Sequence, residues 1–358
     1  MDVIHDRAAG IDISKRDAKV CLRLPSARKG QFRPAVSTWG ATATEIVELR
    51  SFLEQQDVPV VVTEATADYW KPFYYVLEET LPVLVNARDA RNIPGRKTDV
   101  SVASWLAQLA ACGLLRASFI PPPRIRELRD LTRARAITVR DRTREIQRLE
   151  KFLESSGIKL SAVVSSLTGV SSRLMLDDLI TGQRDPLVLA AHAKGKLRSK
   201  LPELTAALNG RFGEHHALMT KLYLDQIDTY TRKIRTLTES IELLMVPFRQ
   251  TREVLSTIPG VSELVADVII AETGADMSVF AAAAHLASWA GVCPGSNESA
   301  GRVKSSHIRP GNKYLKSALG IAALAASRTK GTYLAAKFRR IAARRGPMKL
   351  SSRFSTRF

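Results

Sequence analysis

Three carboxylates in the first third of the chain stand where predicted strands and helices begin or end. Asp12 closes an apolar strand, Glu64 follows a run of β-branched residues, and Asp99 begins a helix. Because neighbouring strands end at one edge of a sheet, such positions can bring acids from distant parts of a sequence together. Clustered carboxylates repel one another unless cations neutralise them, and oxygen donors suit Mg²⁺. The pattern predicts an Mg²⁺ site able to assist phosphoryl transfer.

Each of these acids also has an ordinary structural explanation. Asp99 can belong to a helix N-terminus, where acids complement the helix dipole. Asp12 can close a turn, and Glu64 can cap the helix that follows it. Taken one at a time, the structural explanation is the stronger. Their joint arrangement is what favours a metal site.

A second candidate is a serine in the last third of the chain. Residues 287–301 are rich in small, turn-forming types and lead into Arg302, Lys304, Arg309 and Lys313. A serine on a glycine-bounded loop among cations is placed to attack a phosphodiester, because positive charge stabilises the ionised hydroxyl and the pentavalent phosphate. The alternative is a loop whose Ser, Asn and Gly residues bind phosphate without chemistry.

The charge of the chain favours a polyanionic partner. Its 358 residues include 54 Lys or Arg and 35 Asp or Glu, a net charge of +19 with a pI near 10.2. Residues 302–358 contain fifteen Lys or Arg and no Asp or Glu. Nucleic acid is therefore the expected partner, although the last part of this segment, from about Ala343, has the composition of a basic tail.

The cysteines and the apolar runs indicate the compartment. Three widely spaced cysteines without a CxxC pair favour a reducing environment. The N-terminus lacks a signal-peptide pattern, and the apolar runs are too short to cross a bilayer. These features predict a soluble, cytoplasmic protein with no membrane partner.

The first unit of the chain has the alternating pattern of an α/β domain. We predict a strand hairpin over 8–24, a helix over 44–55, a buried strand over 60–63, a further strand over 82–85 and a helix over 101–114. A sheet with these strands would carry Asp12 and Glu64 at strand ends.

A stiff proline run at 121–123 marks the beginning of a mostly helical part. Long helices over 124–154 and 217–244 can pair as an antiparallel hairpin, with 157–213 inserted between them. A Pro-Gly turn at 258–261 resembles a helix-hairpin-helix element, in which backbone amides can meet a DNA phosphate. The first long helix carries Arg133, Arg135, Arg140 and Arg144, which form either a solvated charged face or a nucleic-acid-binding one.

Several motifs together resemble one family. The segments GIDISK, TEATADYWKP, LVNARDARNIPGRKTDV and IPPPRIRELRDLTRAR are similar to the N-terminal region of insertion-sequence-110 (IS110) family transposases. The resemblance implies a RuvC-like, ribonuclease-H-type domain with four acidic metal ligands in the order Asp, Glu, Asp, Asp.

Three of the four acids of that pattern are present as Asp12, Glu64 and Asp99. The fourth would stand three residues after Asp99, where this chain has Val102. A valine cannot ligate a metal, so water or another acid would have to fill that position. Asp68 and Asp89 are the alternative donors, and the sequence does not choose between them.

The block AGVCPGSNESAGRVKSSHIRPGNKYLKSAL resembles the C-terminal domain of the same family. The resemblance implies that Ser299 is the nucleophile, with Ser296, Ser305 and Ser306 as the neighbours with which it can be confused. It also implies a covalent 5′-phosphoserine intermediate, a site shared between protomers of a homo-oligomer (dimer or tetramer), and a structured noncoding bridge RNA that pairs with donor and target DNA.

These interpretations predict four regions. They are a RuvC-like domain over 1–118, a helical coiled-coil region over 119–250, a mainly α transposase domain over 251–345 and a basic tail over 346–358. The leading function is an RNA-guided DNA recombinase. The alternatives are a metal-dependent junction nuclease and, given Val102 and the altered C-terminus, an inactive nucleic-acid-binding remnant.

Overall fold

A computed structural model gives the fold. The residues that it describes are 3–26, 32–65, 67–81, 83–85, 99–115, 117–293, 297–305 and 310–345. The chain divides into two compact units, Met1–Ile120 and Pro121–Phe358, at the predicted proline run. The predicted tail over 346–358 lies outside the described residues. Among the helices of the described part, none is both long and apolar enough to span a bilayer.

The first unit contains a five-stranded mixed sheet. Strands β1 (Ala8–Ile13), β2 (Asp17–Pro25) and β3 (Phe32–Gly40) form an antiparallel meander, while β4 (Val61–Thr63) and β5 (Val83–Val85) extend the sheet parallel to β1. The strand order is β3-β2-β1-β4-β5. The sheet confirms the predicted hairpin, and its mixed α/β architecture fits the expected RuvC-like class.

Among the described residues, three helices cover the two faces of this sheet: α1 (Ala43–Gln55), α2 (Trp70–Leu77) and α3 (Asp99–Ala111). Successive β1 residues point to opposite faces. Ile11 packs in one apolar cluster with residues of α1 and α2, whereas Ala8 packs in another with residues of α3. Both faces of β1 are therefore buried, which explains its unbroken apolar run.

Strand β3 was not predicted, and its position explains why. It lies at the edge of the sheet, pairs with β2 alone among the described strands, and keeps its side chains exposed or half-buried. It also contains Pro34, a residue that sheets tolerate on edge strands. An edge strand of this kind lacks the apolar alternation by which strands are recognised.

The second unit is built on two long helices, α4 (Pro123–Ser155) and, later in the chain, α9 (Glu214–Met245). Leu149 near the end of α4 shares a cluster with Leu224 near the beginning of α9, while Ile125 at the other end shares a cluster with Met245. The two helices are therefore antiparallel, as expected. Coiled-coil packing between them stays a prediction.

Short helices fill the segment between them. These are α5 (Leu160–Val163), α6 (Val170–Thr181), α7 (Pro186–Ala190), a 3₁₀ turn (Gly195–Lys200) and α8 (Leu201–Ala207). They enclose an apolar core of their own against the adjoining ends of the long helices.

The rest of the second unit, as far as the structure describes it, is helical except for one strand hairpin. After a 3₁₀ turn (Val246–Phe248) the elements are α10 (Arg249–Ser256), α11 (Glu263–Thr273), a 3₁₀ turn (Met277–Val279), α12 (Ala283–Ala290), β6 (Asn297–Ser299), β7 (Arg302–Ser305), α13 (Lys313–Arg328) and α14 (Tyr333–Arg345). The predicted Pro-Gly turn connects α10 to α11; its contact with DNA stays a prediction.

Candidate active site

The structure brings Asp12 and Glu64 to the carboxyl ends of two neighbouring strands. Strands β1 and β4 are parallel neighbours, and their register pairs Ile11 with Thr63. Asp12 is the next residue of β1, Glu64 directly follows the last residue of β4, and both are half-buried. The two acids therefore follow paired positions at the carboxyl ends of adjacent strands, as the sequence predicted.

Helix α3 begins at that same end of the sheet. The amide of Ile4, ahead of β1, donates to the carbonyl of Ala111 at the end of α3, at 2.8 Å. Farther along β1, Gly10 meets α3 at Ala103. Helix α3 thus runs antiparallel to β1, and its first residue, Asp99, lies toward the carboxyl end of β1. The side chain of Asp99 lies outside the described part of the structure.

The contact between β1 and α3 depends on glycine at position 10. A Cβ atom on Gly10 would lie 2.1 Å from the carbonyl oxygen of Ala103 and 2.4 Å from the amide nitrogen of Ala107. Both atoms belong to the helix backbone and cannot move aside independently. Only a residue without a side chain permits this approach, which fixes the distance between the helix and the strand that carries Asp12.

Val102 occupies an apolar environment. Its side chain is half-buried and packs against the cluster that contains Ala8, Val62 and Leu106. The alternative donor Asp68 is exposed and forms an ion pair with Lys71 at 2.8 Å. The other alternative, Asp89, lies outside the described residues.

The donor set fits a hard cation. Asp12 and Glu64 offer carboxylate oxygens, the ligands that Mg²⁺ prefers. Among the side chains that the structure describes, no three His, Cys, Asp or Glu residues are grouped to hold a metal. Asp99 is not among those side chains. Asp12 and Glu64 are the pair that the structure brings together.

Ser299 lies beside the tight turn of a hairpin. It is the last residue of β6 and pairs with Arg302, the first residue of β7. The two residues between them have positive φ angles, 51° at Ala300 and 74° at Gly301. Positive φ at both central positions is the pattern of a type I′ turn, which matches the twist of the strands. The side chains of Ser299 and Arg302 are both exposed.

The segment that carries this hairpin is closed at its base. The backbone of Gly311 lies against Gly291, the residue that ends α12, and the amide of Asn312 donates to the carbonyl of Trp289 at 3.1 Å. Asn312 also caps α13, because its Oδ1 accepts from the amides of the second and third residues of that helix, both at 3.1 Å.

The other predicted residues of this segment are less completely described. Lys304 and Ser305 belong to β7, but their side chains lie outside the described part. Ser296, Ser306 and Arg309 lie outside the described residues altogether. Lys313, the first residue of α13, is exposed.

A buried glutamate ties the beginning of α13 to the long helix α4. The Oε2 atom of Glu272, in α11, accepts from Asn312 Nδ2 at 2.6 Å and from Arg133 Nη2 at 2.8 Å. Arg133 Nε reaches Oε1 at 2.8 Å, and Arg129 Nε lies 3.3 Å from Oε2. Glu272 is fully buried. Its role was not predicted from the sequence, because a single acid near the end of an apolar helix carries no distinctive pattern.

This network changes how Arg133 can act. Burial alone would lower the pKa of Arg133, but the hydrogen bond to Glu272 and the negative charge of that carboxylate outweigh burial and raise the pKa. Two of its nitrogens are committed to Glu272. Arg133 is therefore a fixed positive charge, held by its partner.

The three other arginines predicted on α4 have local partners. Arg135 Nε donates to Thr238 Oγ1 on α9 at 2.9 Å. Arg140 Nε donates to a carbonyl one turn earlier in α4 at 3.2 Å, and Arg144 Nη1 lies 3.2 Å from Asp141. Arg140 and Arg144 are exposed, so their charges face solvent. Contact of these arginines with nucleic acid stays a prediction.

Comparison with known proteins identifies the family. A model described as "Transposase IS116/IS110/IS902 family" matches 252–339, a range that includes Ser299, and a model for the DEDD transposases of IS110 elements matches 9–157. A solved structure, RuvC of Thermus thermophilus, is similar with 12% identity over 28% of this chain and 90% of that chain, at a TM-score of 0.22. No match is found among the curated proteins. The chain belongs to the IS110 family of transposases.

Proposed function

We propose that this transposase cuts and rejoins DNA strands through a transient covalent bond between Ser299 and a 5′ phosphate, assisted by Mg²⁺ at Asp12, Glu64 and Asp99. One observation carries the metal half of the proposal. Asp12 and Glu64 follow paired residues of adjacent parallel strands, at the end of the sheet toward which α3 begins with Asp99. The exposure of Ser299 beside a hairpin turn supports the covalent half.

The covalent step is a phosphoryl transfer to a hydroxyl. The Ser299 Oγ attacks phosphorus and loses its proton to water, while the bond from phosphorus to the 3′ oxygen breaks and that oxygen takes up a proton. In the second step a 3′ hydroxyl of another strand attacks the phosphoserine, and Ser299 leaves with a proton. One phosphodiester is exchanged for another, so no nucleotide cofactor is consumed.

Positive charge assists both steps. Arg302 is the direct partner of Ser299 across the hairpin, so that the two side chains project from the same face. A guanidinium there stabilises the charge that develops on the phosphate. When bound, Mg²⁺ would stabilise the attacking and leaving oxygens. Asp12 and Glu64 would hold the Mg²⁺ ion at the carboxyl ends of β1 and β4.

The proposal includes a shared site and a guide. In an oligomer, the carboxylates of one protomer and Ser299 of its partner would act on one DNA strand. A structured noncoding RNA would pair with donor and target DNA, and exposed cations such as Arg140 and Arg144 would bind its backbone. Base pairing would then provide the sequence specificity.

A nicked DNA duplex labelled at the 3′ end of the cut strand tests the covalent step. With Mg²⁺ we expect a labelled protein adduct that survives denaturation, because the label stays on the fragment that holds the 5′ phosphate. Ser299→Ala should abolish the adduct, whereas Ser305→Ala, a serine of the partner strand β7, should retain it. Cleavage that persists in Ser299→Ala without any adduct would instead identify a metal-dependent nuclease.

The apolar packing of Val102 supports a second candidate function. With its side chain in the cluster around Ala8 and Val62, position 102 offers no oxygen to a metal. A protein short of one ligand would bind nucleic acid and leave it uncut. Absence of both adduct and hydrolysis in the nicked-duplex experiment, with nucleic-acid binding intact, would favour this candidate.

A further inference from the structure

Helices α4, α11 and α13 surround a cavity of about 420 Å³ in the second unit. This volume is within the range of small-molecule sites, about 300–1,000 Å³. The cavity combines two kinds of surface, a set of cations and an apolar wall with one aromatic ring.

Four cations line the cavity: Arg133, Arg135, Arg140 and Lys313. None of the described residues that line it carries a carboxylate. Glu272 holds Arg133 in place from outside the cavity, and Arg140 and Lys313 are exposed toward solvent. An anion entering this cavity would meet positive charge from two directions, from α4 and from the beginning of α13.

The remaining wall is mostly apolar, with Thr132, Ser262 and Ser317 as its hydroxyl side chains. It includes Val139, Val265, Val268 and Ile321, together with the ring of Tyr314. The guanidinium carbon of Arg133 lies 4.8 Å from the centre of that ring, which holds the tyrosine in a defined orientation. Such a wall suits a planar, weakly polar group rather than a hydrated ion.

A nucleotide has a chemical group that matches each of these two surfaces. Its base is planar and packs favourably against aromatic and apolar side chains, and its phosphates bind cations. In a duplex, neighbouring bases cover both faces of each base, so only an unpaired nucleotide can enter such a cavity. We propose that this cavity captures one unpaired nucleotide, with its base against Tyr314 and Ile321 and its phosphates at Arg140 and Lys313. The inference rests on the proposed function only in taking nucleic acid as the partner.

A comparison of two ligands tests the capture of a base. One is a fluorescently labelled ten-nucleotide single strand, and the other is the same sugar-phosphate chain without bases. Electrostatic binding to the backbone is common to both, so their difference isolates the base. We expect the full-length protein to bind the strand with bases about tenfold more tightly, as one buried base requires.

Two matched variants of α13 locate the effect. Ile321 lines the cavity and is 58% exposed, whereas Leu324 on the same helix is 47% exposed and does not line it. Because both are exposed, an aspartate at either position has little effect on folding. Ile321→Asp should remove the tenfold preference and Leu324→Asp should keep it. Equal affinity for the two ligands in the unmodified protein, or a preference that survives in Ile321→Asp, would overturn the proposal.

The tyrosines offer an independent pair. Tyr314→Leu should lose the preference and Tyr314→Phe should retain it, because phenylalanine keeps the ring. Tyr333→Leu is the control. Tyr333 is exposed on α14, and Lys337 Nζ lies 5.1 Å from the centre of its ring, just as Lys313 Nζ lies 5.2 Å from the centre of the Tyr314 ring. Loss of the preference in Tyr333→Leu but not in Tyr314→Leu would contradict the assignment.

Strands of RNA and of DNA form the two arms of the test. A base preference in either arm supports the site and identifies the kind of strand that it captures; its absence from both rejects the site. The measurement requires no cleavage. Its outcome is therefore separate from whether Ser299 forms an adduct.

Discussion

Replacement of Gly10 by alanine should move α3 away from β1, the strand that carries Asp12. The new Cβ would lie 2.1 Å from the carbonyl oxygen of Ala103, where ordinary contacts begin at 3.4 Å. The helix would have to retreat by about 1.3 Å, the difference between these two distances. The obstacle is helix backbone, so rotation of a side chain cannot relieve it.

Two magnitudes follow from this displacement. Overpacking of a buried contact costs about 1–3 kcal/mol of stability. A misplacement of about 1 Å in a catalytic group lowers the rate by about 100-fold. Because α3 begins with Asp99, a proposed metal ligand, Gly10→Ala should therefore reduce the proposed metal-dependent cleavage far more than it reduces the folded fraction.

Hydrogen exchange of the α3 amides and the rate of cleavage measure the two effects. We expect faster exchange along α3 in Gly10→Ala together with the loss of cleavage. Gly320→Ala is the matched control, because Gly320 lies within α13 with nothing within 4 Å of its new Cβ. Alanine there should stabilise the helix by about 0.5–1 kcal/mol. The reasoning would be refuted if the α3 amides of Gly10→Ala exchanged, and the variant cleaved DNA, at the same rates as in the unmodified protein.

Three further predictions concern stability, the metal site and the cysteines. Glu272→Ala should destabilise the second unit by about 3 kcal/mol, because two arginines lose their buried partner. Urea unfolding followed by Trp289 fluorescence measures the free energy of unfolding. A decrease in that free energy of less than about 1 kcal/mol would contradict the prediction. Val102→Asp should lower the melting temperature in the absence of metal, and Mg²⁺ should restore the melting temperature and increase cleavage. A melting temperature that does not change when Mg²⁺ is added would show that position 102 is not a ligand position. Burial raises the pKa of the Cys21 thiol, so at pH 8 iodoacetamide should modify the half-exposed Cys293 first, and rapid labelling of Cys21 would contradict its buried position.

The parts of the fold that the sequence predicted are those with strong local periodicity. Local patterns predict these elements without reference to the rest of the chain. The apolar runs of β1 and β4 predict buried strands, and the amphipathic pattern of α4 predicts a long helix. The edge strand β3 has no such pattern, because only one neighbour constrains it. Its pairing depends on the hairpin geometry of β2, which is a tertiary property.

The residues of the candidate site also divide into those that a local sequence pattern predicts and those that depend on tertiary contacts. Asp12 and Glu64 were predicted because strand ends are visible as the ends of apolar runs, and the parallel register of β1 and β4 then aligns them. Ser299 was expected on a loop, whereas the structure shows a short hairpin, because the positive φ angles of Ala300 and Gly301 allow a two-residue turn. Glu272 was missed because its role depends on an arginine 139 positions away in the sequence.

The closed base of the Ser299 segment makes this segment a separable module. Gly291 and Gly311 touch, so the end of α12 and the residues ahead of α13 meet at the base of this segment. A two-residue glycine bridge replacing residues 293–310 would satisfy the same geometry, and α12 and α13 would keep their packing. The hairpin that carries Ser299 can thus be removed, lengthened or exchanged as a cassette, without changing any residue of the sheet that carries Asp12 and Glu64.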